Sequence, residues 1–257
     1  MFFNKEKIKN FNKLQFNFLK VKININTLEI TLDRPEKKNA LNSEMLNELA
    51  LCTDYANYND SIRAVIYNSN SDIFCSGLDL IDFKETSNNI ALADIFNKLH
   101  KPKLVILEGD VHAGGVLIVA CANYVISKHN VKLSLPEVNR GLFPLQVMDS
   151  LFRIMPKKSV IDWCIRGKKM TAEECEKLNL IDEVSDNDLE NLCQIWINDI
   201  ISVSPNAIKN GLRIFEESYI DKDNIKKLNK ELKKLRKSDD FKEGVSAFKE
   251  KRKPRWK

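Results

Sequence analysis

Two adjacent glycines, Gly114 and Gly115, stand directly before the apolar run of residues 116–120. This run predicts a buried helix, and the pair occupies its first turn, where backbone N–H groups have no acceptor within the helix. Such N–H groups, together with the positive end of the helix dipole, can stabilise a developing anion. A helix packed closely against a strand also requires glycine. The pair alone therefore leaves both an anion-binding role and a packing role open.

Glycine is scarce in this chain, so each glycine is more often needed for backbone reasons. Only eight of the 257 residues are glycine, about half the usual frequency of roughly 7%. Five of them lie in three short segments, which are residues 74–79, 109–115 and 136–141. Each segment follows a predicted strand, which is where α/β proteins place ligand sites. The sequence contains neither of the standard glycine-rich phosphate loops and no serine nucleophile elbow.

The hydrophobic pattern predicts the elements that would position these segments. Apolar runs or alternation predict strands at residues 28–32, 64–67, 104–107 and 124–127. Helical spacing predicts a helix capped by Asn42 or Ser43, and further helices over residues 89–99 and 114–122. Strands that alternate with helices indicate an α/β core with parallel pairing.

After about residue 185 the pattern changes to successive helices, which extend over residues 189–248. We therefore predict an α/β core over residues 1–194 and a C-terminal helical region over residues 195–257. Within this region, residues 221–237 present an apolar face. That face predicts either a docked helix or a subunit contact.

The composition is that of an ordinary globular protein, with 43% hydrophobic and 30% charged residues. No apolar run approaches the roughly 18 residues of a membrane-spanning helix, and the first residues show no secretory or organelle-import pattern. We therefore predict a cytoplasmic protein with no membrane partner. The six cysteines form no C-x-x-C pair and predict buried free thiols. The three histidines are too far apart for a helical metal-ligand pair, so we expect no metal site.

The basic excess of the chain is concentrated near its C-terminus. The formal net charge is +5, but residues 226–257 hold fourteen Lys or Arg against five Asp or Glu. Such a segment attracts phosphate groups, including those of RNA. A helical face solvated by lysines gives the same pattern and is the alternative interpretation.

Four stretches of the sequence together resemble the crotonase superfamily, also called the enoyl-CoA hydratase/isomerase family. They are residues 31–42, 74–80, 109–115 and 247–254, in the family order and at family-like spacing. The resemblance implies an α/β fold, a crotonase-like spiral of ββα units, whose C-terminal helical region builds a homotrimer or a dimer of trimers. It also implies an acyl-CoA or acyl-carrier-protein thioester as substrate, and no cofactor, since coenzyme A is part of the substrate.

The resemblance also implies roles for individual residues. In the family, two backbone N–H groups hold the thioester carbonyl and stabilise the enolate, and these donors correspond to Leu78 and Gly114. The glutamate of a Pro-Glu pair acts as acid and base, which implies this role for Glu137. Burial would raise the pKa of that carboxyl toward neutrality and suit it to proton transfer. Substrate-binding positions are implied at Ala40, Leu41 and Ser76 near the CoA adenine, and at Phe248 and Lys251 near the CoA of a neighbouring subunit.

Two departures from the family pattern bear on the reaction. The first glutamate of the hydratases corresponds to Leu117, and the glycine that often follows the later proline is replaced by Leu145. Paired carboxylates hold a water molecule between them, whereas one carboxylate beside leucine holds water less well. The sequence therefore favours thioester enolate chemistry, as in single-glutamate isomerases, dehydratases and decarboxylases, over water addition.

Several residues have two possible roles. His112 either contacts substrate or packs against its neighbours, and Asp79 either steers a substrate group or caps a short helix. Gln146 and Asp149 either supply polar groups to the pocket or face solvent, and Lys251 either reaches CoA or belongs to a solvated tail. For the whole chain, the competing interpretation is a non-catalytic acyl-CoA-binding or RNA-binding protein of the same fold.

Overall fold

Two β-sheets form the centre of this computed structural model, which describes residues 1–82, 90–219 and 221–256. The described strands are β1 (Leu19–Ile23), β2 (Thr27–Leu32), β3 (Ala64–Ser69), β4 (Ile73–Cys75), β5 (Lys103–Leu107), β6 (Asp110–His112), β7 (Tyr124–Ser127), β8 (Lys132–Ser134), β9 (Lys169–Thr171) and β10 (Glu183–Val184). The larger sheet has the order β1-β2-β3-β5-β7-β10, and the smaller sheet has the order β4-β6-β8-β9.

The helices pack around and between the sheets. They are α1 (Lys5–Lys9), α2 (Ser43–Tyr58), α3 (Leu92–Asn97), α4 (Gly114–Ala120), α5 (Leu145–Leu151), α6 (Lys157–Arg166), α7 (Ala172–Glu176), α8 (Leu189–Ser202), α9 (Pro205–Tyr219), α10 (Lys222–Leu235) and α11 (Asp239–Lys249), with short 3-10 helices at Phe11–Lys13, Pro35–Lys37 and Pro136–Arg140. As predicted, Asn42 caps α2, since its side chain accepts a hydrogen bond from the Met45 N–H at 2.9 Å. No helix in the described part of the chain is both long and apolar enough to span a bilayer.

Successive strand pairs give the fold its spiral course. β3, β5 and β7 lie parallel in the larger sheet, and each is followed by a strand of the smaller sheet, where β4, β6 and β8 are also parallel. α3 and α4 then return the chain to the larger sheet, so the repeating unit is ββα. This confirms the predicted α/β spiral. Because parallel strands end at the same edge of a sheet, the loops after β4, β6 and β8 lie next to one another.

Most elements predicted from hydrophobic pattern are present. The four predicted strands correspond to β2, β3, β5 and β7, and the helix predicted from Gly114 corresponds to α4. The helix predicted over residues 89–99 is the shorter α3, and Asn89 lies outside the described residues. The prediction missed β1 and β10 of the larger sheet and all four strands of the smaller sheet. The strands of the smaller sheet have three residues each and are too short to show a periodic signal.

The C-terminal region packs on the core of its own chain. α8 covers the outer face of the larger sheet, where the Trp196 ring stacks on Tyr124 with centroids 6.1 Å apart. The border predicted between residues 194 and 195 therefore falls within α8. The amphipathic segment predicted at residues 221–237 is α10, which docks on α5. Ile225, on the apolar face of α10, is buried.

Candidate active site

A mainly apolar cavity of about 70 Å³ lies where the loop after β4, the start of α4, the turn after β8 and the end of α10 meet. Leucines and other apolar groups form most of its wall, and its polar side chains are a carboxyl, an amide and two guanidinium groups. The lining residues are Leu78, Leu80, Leu92, Ala113, Gly114, Leu117, Glu137, Arg140, Leu142, Phe143, Pro144, Leu145, Gln146, Val147, Leu232 and Arg236. A wider surface groove of about 1070 Å³ lies between β2 and α8, but no predicted site residue lines it.

Two backbone N–H groups converge on the cavity. In the loop after β4, Leu41 donates to the Gly77 carbonyl at 2.8 Å and Asp79 donates to the Leu41 carbonyl at 2.9 Å. The Leu78 N–H between them makes no hydrogen bond within the described residues, and the same is true of the Gly114 N–H, which opens α4. A methyl group on Gly114 would lie 3.6 Å from the Leu78 nitrogen, so the two donors are neighbours.

The adjacent glycines have different roles. A methyl group on Gly115 would lie 2.7 Å from the Cys75 carbonyl oxygen, so this residue lets α4 pack against β4. A methyl group on Gly114 would meet nothing closer than 3.5 Å, so packing does not require glycine there. Gly77 has a φ of +90°, and a side chain on it would crowd the Gly114 nitrogen at 3.0 Å. The packing interpretation of the pair therefore applies to Gly115, and the anion-binding role of Gly114 stays a prediction.

Glu137 presents its carboxyl group to the same cavity. It lies in the 3-10 turn Pro136–Arg140 that follows β8, and its Oε2 is inaccessible to solvent and has no hydrogen-bond partner in the described part of the chain. Burial raises the pKa of Glu137 to about 7, although its own backbone N–H and the charge of Arg140 act in the opposite direction. A carboxyl with this pKa can both accept and donate a proton at neutral pH.

The cavity wall is apolar at the two positions where the sequence departs from the family pattern. Leu117 lines the cavity and is 1% exposed, and Leu145 lines it as well. Gln146 also lines the cavity, and its amide donates a hydrogen bond to Asn229 of α10. Asp149 accepts hydrogen bonds from Arg153 at 2.9 Å and Asn224 at 2.8 Å. The interpretation of Gln146 and Asp149 as solvent-facing is therefore wrong, because α10 covers that face of α5.

The residues predicted near the CoA adenine lie together beside the loop after β4, which bears Leu78. Leu41 pairs with Leu78 in a parallel β-bridge, and the Ser76 N–H donates to the Lys38 carbonyl at 3.1 Å. Ala40 and Ser76 are partly exposed, whereas the Leu41 side chain is completely buried. Leu41 is covered by the protein as a whole residue, and the adenine contact of all three residues stays a prediction.

Asp79 and His112 lie next to the cavity but do not line it. The Asp79 carboxylate accepts a hydrogen bond from the buried guanidinium of Arg34 at 2.9 Å and bonds from the N–H groups of Ile81 and Asp82. Burial opposes ionisation of Asp79, but these donors outweigh it and hold its pKa below the ordinary value. The His112 Nδ1 lies 2.8 Å from the Ser134 hydroxyl, and burial lowers the pKa of the ring. The Asp79 side chain thus holds the loop after β4, and the His112 side chain links the ends of β6 and β8. Contact of either side chain with substrate stays a prediction.

The predicted C-terminal positions behave differently from each other. The Phe248 ring is 59% exposed and lies beneath the Arg140 guanidinium, 4.8 Å from its central carbon. Lys251 is exposed just beyond the end of α11 and does not line the cavity. Contact of Phe248 and Lys251 with the CoA of a neighbouring subunit stays a prediction.

The sequence analysis did not predict that α11 packs directly on the turn that bears Glu137. A methyl group on Gly244 of α11 would lie 2.6 Å from the Arg140 Cα, and one on Gly141 would lie 2.6 Å from the Phe241 nitrogen. Helix and turn are therefore in backbone contact. The only available signal was the glycine at each position, since the two contacting segments are about 100 residues apart in the sequence.

Sequence reasoning also missed the two arginines of the cavity, Arg140 and Arg236. Arg140 lies in a segment marked by its glycine and its Pro-Glu pair, and Arg236 lies among many basic residues, so neither arginine has a distinguishing signal in the sequence. No group of three or more His, Cys, Asp or Glu side chains is arranged to hold a metal ion within the described ranges.

The chain is similar to known proteins over nearly its whole length. Residues 22–257 match the family model described as enoyl-CoA hydratase/isomerase. The chain is 29% identical to an enoyl-CoA hydratase of Mycobacterium tuberculosis, over 89% of this chain and 92% of that protein. It is 25% identical to a trans-2-decenoyl-acyl-carrier-protein isomerase of Streptococcus mutans, over 88% of this chain and 93% of that protein. A solved enoyl-CoA hydratase/isomerase from Pseudoalteromonas atlantica is 27% identical with a TM-score of 0.84, over 94% of this chain and all of that one.

Proposed function

This chain belongs to the enoyl-CoA hydratase/isomerase family and is an enzyme of that family, and we propose that it shifts the double bond of an unsaturated acyl thioester. One observation carries the proposal. The solvent-shielded carboxyl of Glu137, whose pKa is raised to about 7, lines the same cavity as the unused N–H groups of Leu78 and Gly114. An acid–base group and two oxyanion donors are the parts that enolate chemistry requires.

In the proposed reaction, the N–H groups of Leu78 and Gly114 hold the thioester carbonyl oxygen of a 3-enoyl substrate. The ionised Glu137 removes a proton from the α carbon, and the electron pair of the broken C–H bond delocalises onto the carbonyl oxygen as a dienolate. The two N–H groups stabilise this negative charge because they are already oriented toward it. Glu137 then returns the proton to the γ carbon, which leaves the conjugated 2-enoyl thioester. No atom is gained or lost.

The apolar wall supports isomerisation over hydration. Water addition needs a water molecule held for attack on the β carbon, and paired carboxylates would hold it. Leu117 occupies the position of one of these carboxylates and lines the cavity. Glu137 alone suffices for proton shuttling, because the same carboxyl takes the proton and returns it.

We also propose that the acyl group arrives on the phosphopantetheine arm of either CoA or an acyl carrier protein. The Mycobacterium relative is named for a CoA substrate and the Streptococcus relative for a carrier-protein substrate. The contacts proposed for the reaction itself involve only the thioester and the acyl chain, which both carriers share, whereas the adenine contacts predicted for Ala40, Leu41 and Ser76 apply to CoA alone.

A homotrimer, alone or paired as a dimer of trimers, is the proposed assembly. Its support within the chain is α9, which leaves Ile214, Phe215 and Tyr219 at least half exposed. Light scattering on the purified protein would measure the assembly mass, and a monomer at all concentrations would contradict this proposal.

The direct test compares two substrates of the wild-type protein. Incubation with a 3-enoyl-CoA should create the absorbance of the conjugated enoyl thioester, whereas hydration of crotonyl-CoA, which removes that absorbance, should be slower. Efficient hydration without isomerisation or α-proton exchange would contradict the isomerase proposal. Inactivity in both assays, together with measurable CoA-ester binding, would favour the non-catalytic alternative.

A further inference from the structure

A buried arginine is attached to the loop after β4, which bears Leu78. Arg34 follows β2, and its side chain is only 5% exposed. It does not line the cavity, and no step of the reaction proposed above uses it. Because a charged group is costly to bury, the contacts of this guanidinium indicate what it stabilises.

One terminal nitrogen of Arg34 connects two segments of the chain. Nη1 donates to the Ala40 carbonyl at 2.8 Å and to Asp79 Oδ2 at 2.9 Å. Both N–H groups of this nitrogen are therefore used. Ala40 and Asp79 adjoin the two residues of the parallel β-bridge, Leu41 and Leu78. The guanidinium thus binds both sides of the bridge at once.

A series of hydrogen bonds leads from Arg34 through two peptide groups to the cavity. The Ala40 carbonyl and the Leu41 N–H belong to one peptide group, and this N–H donates to the Gly77 carbonyl at 2.8 Å. The Gly77 carbonyl and the Leu78 N–H belong to the second peptide group. Both groups are trans, and in a planar trans peptide the C=O and N–H bonds point in opposite directions. A bond that fixes each carbonyl therefore also fixes the N–H on its other side.

The charge of Arg34 acts along the same series. A hydrogen bond from a cation polarises the amide that accepts it, and the N–H of a polarised amide is a stronger donor. An arginine remains charged at neutral pH. Asp79 offsets part of this charge, but its Oδ1 is occupied by the N–H groups of Ile81 and Asp82. The Leu78 N–H is therefore both oriented and strengthened as a donor.

Arg34 is itself fixed to the sheets. Its backbone N–H donates to Asn39 Oδ1 at 2.7 Å, and the buried Asn39 amide donates to the Ser69 hydroxyl at 2.8 Å and to the Ile73 carbonyl at 2.9 Å. Ser69 ends β3 and Ile73 begins β4. The Phe18 ring lies 5.3 Å from the central carbon of the guanidinium. The series of hydrogen bonds therefore starts from a rigid position.

We infer that Arg34 is a positioning residue of the reaction, which orients and polarises the Leu78 N–H through the two intervening peptide groups. This inference rests on the proposed function, because it takes the Leu78 N–H as a donor to the thioester carbonyl. Arg34 acts from outside the cavity, and proton transfer belongs to Glu137.

The test measures the carbonyl group of a bound thioester on the full chain. Butanoyl-CoA is saturated, so it binds without reacting, and isotope labelling of its thioester carbonyl lets infrared difference spectroscopy isolate the C=O stretch. Hydrogen bonds from oxyanion donors weaken the C=O bond and lower this frequency. We expect the wild-type protein to lower it on binding, and loss of Arg34 to reduce the shift. A role of Arg34 in fold stability alone would leave the shift unchanged.

The main comparison is between two variants that both lack the Asp79 charge. Arg34→Met combined with Asp79→Asn leaves no buried carboxylate without its partner. Asp79→Asn alone is the matched control, because it keeps the hydrogen bond from Arg34 to the Ala40 carbonyl. The double variant should show the smaller carbonyl shift. Its kcat for 3-enoyl-CoA isomerisation should be about tenfold or more lower than that of the control, which is part of the loss of a whole oxyanion donor. Its Kd for butanoyl-CoA should stay within about threefold of the control.

Arg63→Met controls for the loss of an arginine that donates to backbone carbonyls. The Arg63 guanidinium donates to the carbonyls of Ile200 and Val203 outside the cavity. Its loss should lower the free energy of unfolding and leave the carbonyl shift unchanged. Circular dichroism would establish that each variant is folded. If the double variant is not, Arg34→Lys decides the question, because its ammonium keeps the charge without the planar fork and should give a smaller shift than the wild type.

A carbonyl shift in the double variant equal to that of Asp79→Asn would overturn the inference, as would an unchanged kcat or a wild-type protein that leaves the carbonyl frequency unaltered. Where only Arg34→Lys is folded, a wild-type shift in that variant would overturn it. The two proposals fail separately. Isomerisation with a carbonyl shift that does not depend on Arg34 would leave the proposed function standing and remove this inference. A shift that depends on Arg34, without isomerisation of any 3-enoyl-CoA, would support this inference and contradict the proposed function.

Discussion

The cavity has two walls that are built differently. The wall formed by the α/β core presents backbone N–H groups from Leu78 and Gly114, fixed by parallel strands, a β-bridge and glycines in close contact. The wall formed by the C-terminal helices presents side chains, and its charged group is Arg236. Glu137 and Arg140 share one turn between the walls, and α11 packs directly on that turn.

This difference separates two requirements of an acyl-thioester enzyme. Stabilising an enolate needs donors held at fixed positions, and backbone N–H groups in a rigid core supply them whatever the side chains are. Distinguishing one acyl group from another needs side chains that can vary between proteins without disturbing those donors. We expect substitutions in the core wall to change turnover, and substitutions in the helical wall to change affinity and stability.

The largest effect is expected for Glu137→Gln. Removing the acid–base group should lower turnover by at least about a hundredfold, while CoA-ester binding stays within a few-fold of wild type. The pH profile of kcat/KM in the wild type should have an inflection near pH 7, because kcat/KM reports the free enzyme and burial places the pKa of its Glu137 there. Steady-state isomerisation measured from pH 5 to 9 checks both expectations. Turnover within threefold of wild type would assign the chemistry to another residue.

The adjacent glycines offer a sharper comparison within the core wall. Gly114→Ala should fold normally, because its methyl group meets nothing closer than 3.5 Å, yet lose about a hundredfold in turnover because that group stands beside the Leu78 N–H. Gly115→Ala should instead lose about 1–3 kcal/mol of stability, since its methyl group would lie 2.7 Å from the Cys75 oxygen. Urea denaturation and isomerase assays on both variants separate the roles. Full activity of Gly114→Ala would remove the proposed oxyanion site.

The raised pKa of Glu137 also predicts how stability depends on pH. Its pKa is raised from 4.5 in the unfolded chain to about 7 in the folded protein. Below pH 4.5 the carboxyl is protonated in both states, and as pH rises toward 7 it ionises more easily in the unfolded chain. Stability should therefore fall over this window by up to about 3 kcal/mol and stay level above it. Urea denaturation at pH 5 and 8 should show Glu137→Gln free of this loss, whereas parallel profiles would contradict the shift.

The smallest effect on turnover is expected in the helical wall, where a substitution should act on stability and affinity instead. Gly244→Ala should weaken the packing of α11 against the Glu137 turn, because the added methyl group would lie 2.6 Å from the Arg140 Cα. We expect a loss of about 1–3 kcal/mol and a rise in KM larger than the change in kcat. Gly211→Ala on α9 is the matched control, since no atom lies within 4 Å of its added methyl group. It should gain about 0.5–1 kcal/mol from helix propensity. Equal stability of the two variants would show that α11 does not seal the turn.

Much of the core wall could be predicted from sequence because its signals are local. The apolar run after Gly114 fixes the position of α4, and the glycine pair marks its first turn. The strands β2, β3, β5 and β7 each carry three or more consecutive or alternating apolar residues. The three-residue strands of the smaller sheet have no such signal, although they position the loops that bear Leu78, Gly114 and Glu137.

Local patterns in the sequence predict the α/β spiral and the family, because both depend on short segments and their order in the chain, and they indicate residues that could hold an enolate. The packing role of Gly115, the position of Gly114 at the cavity and the meeting of Arg140 and Arg236 there all depend on tertiary contacts. Those two arginines are 96 positions apart. Their proximity depends on how α10 and α11 pack on α5 and on the Glu137 turn. Packing between distant segments sets the charge and shape of the site, and no local pattern records it.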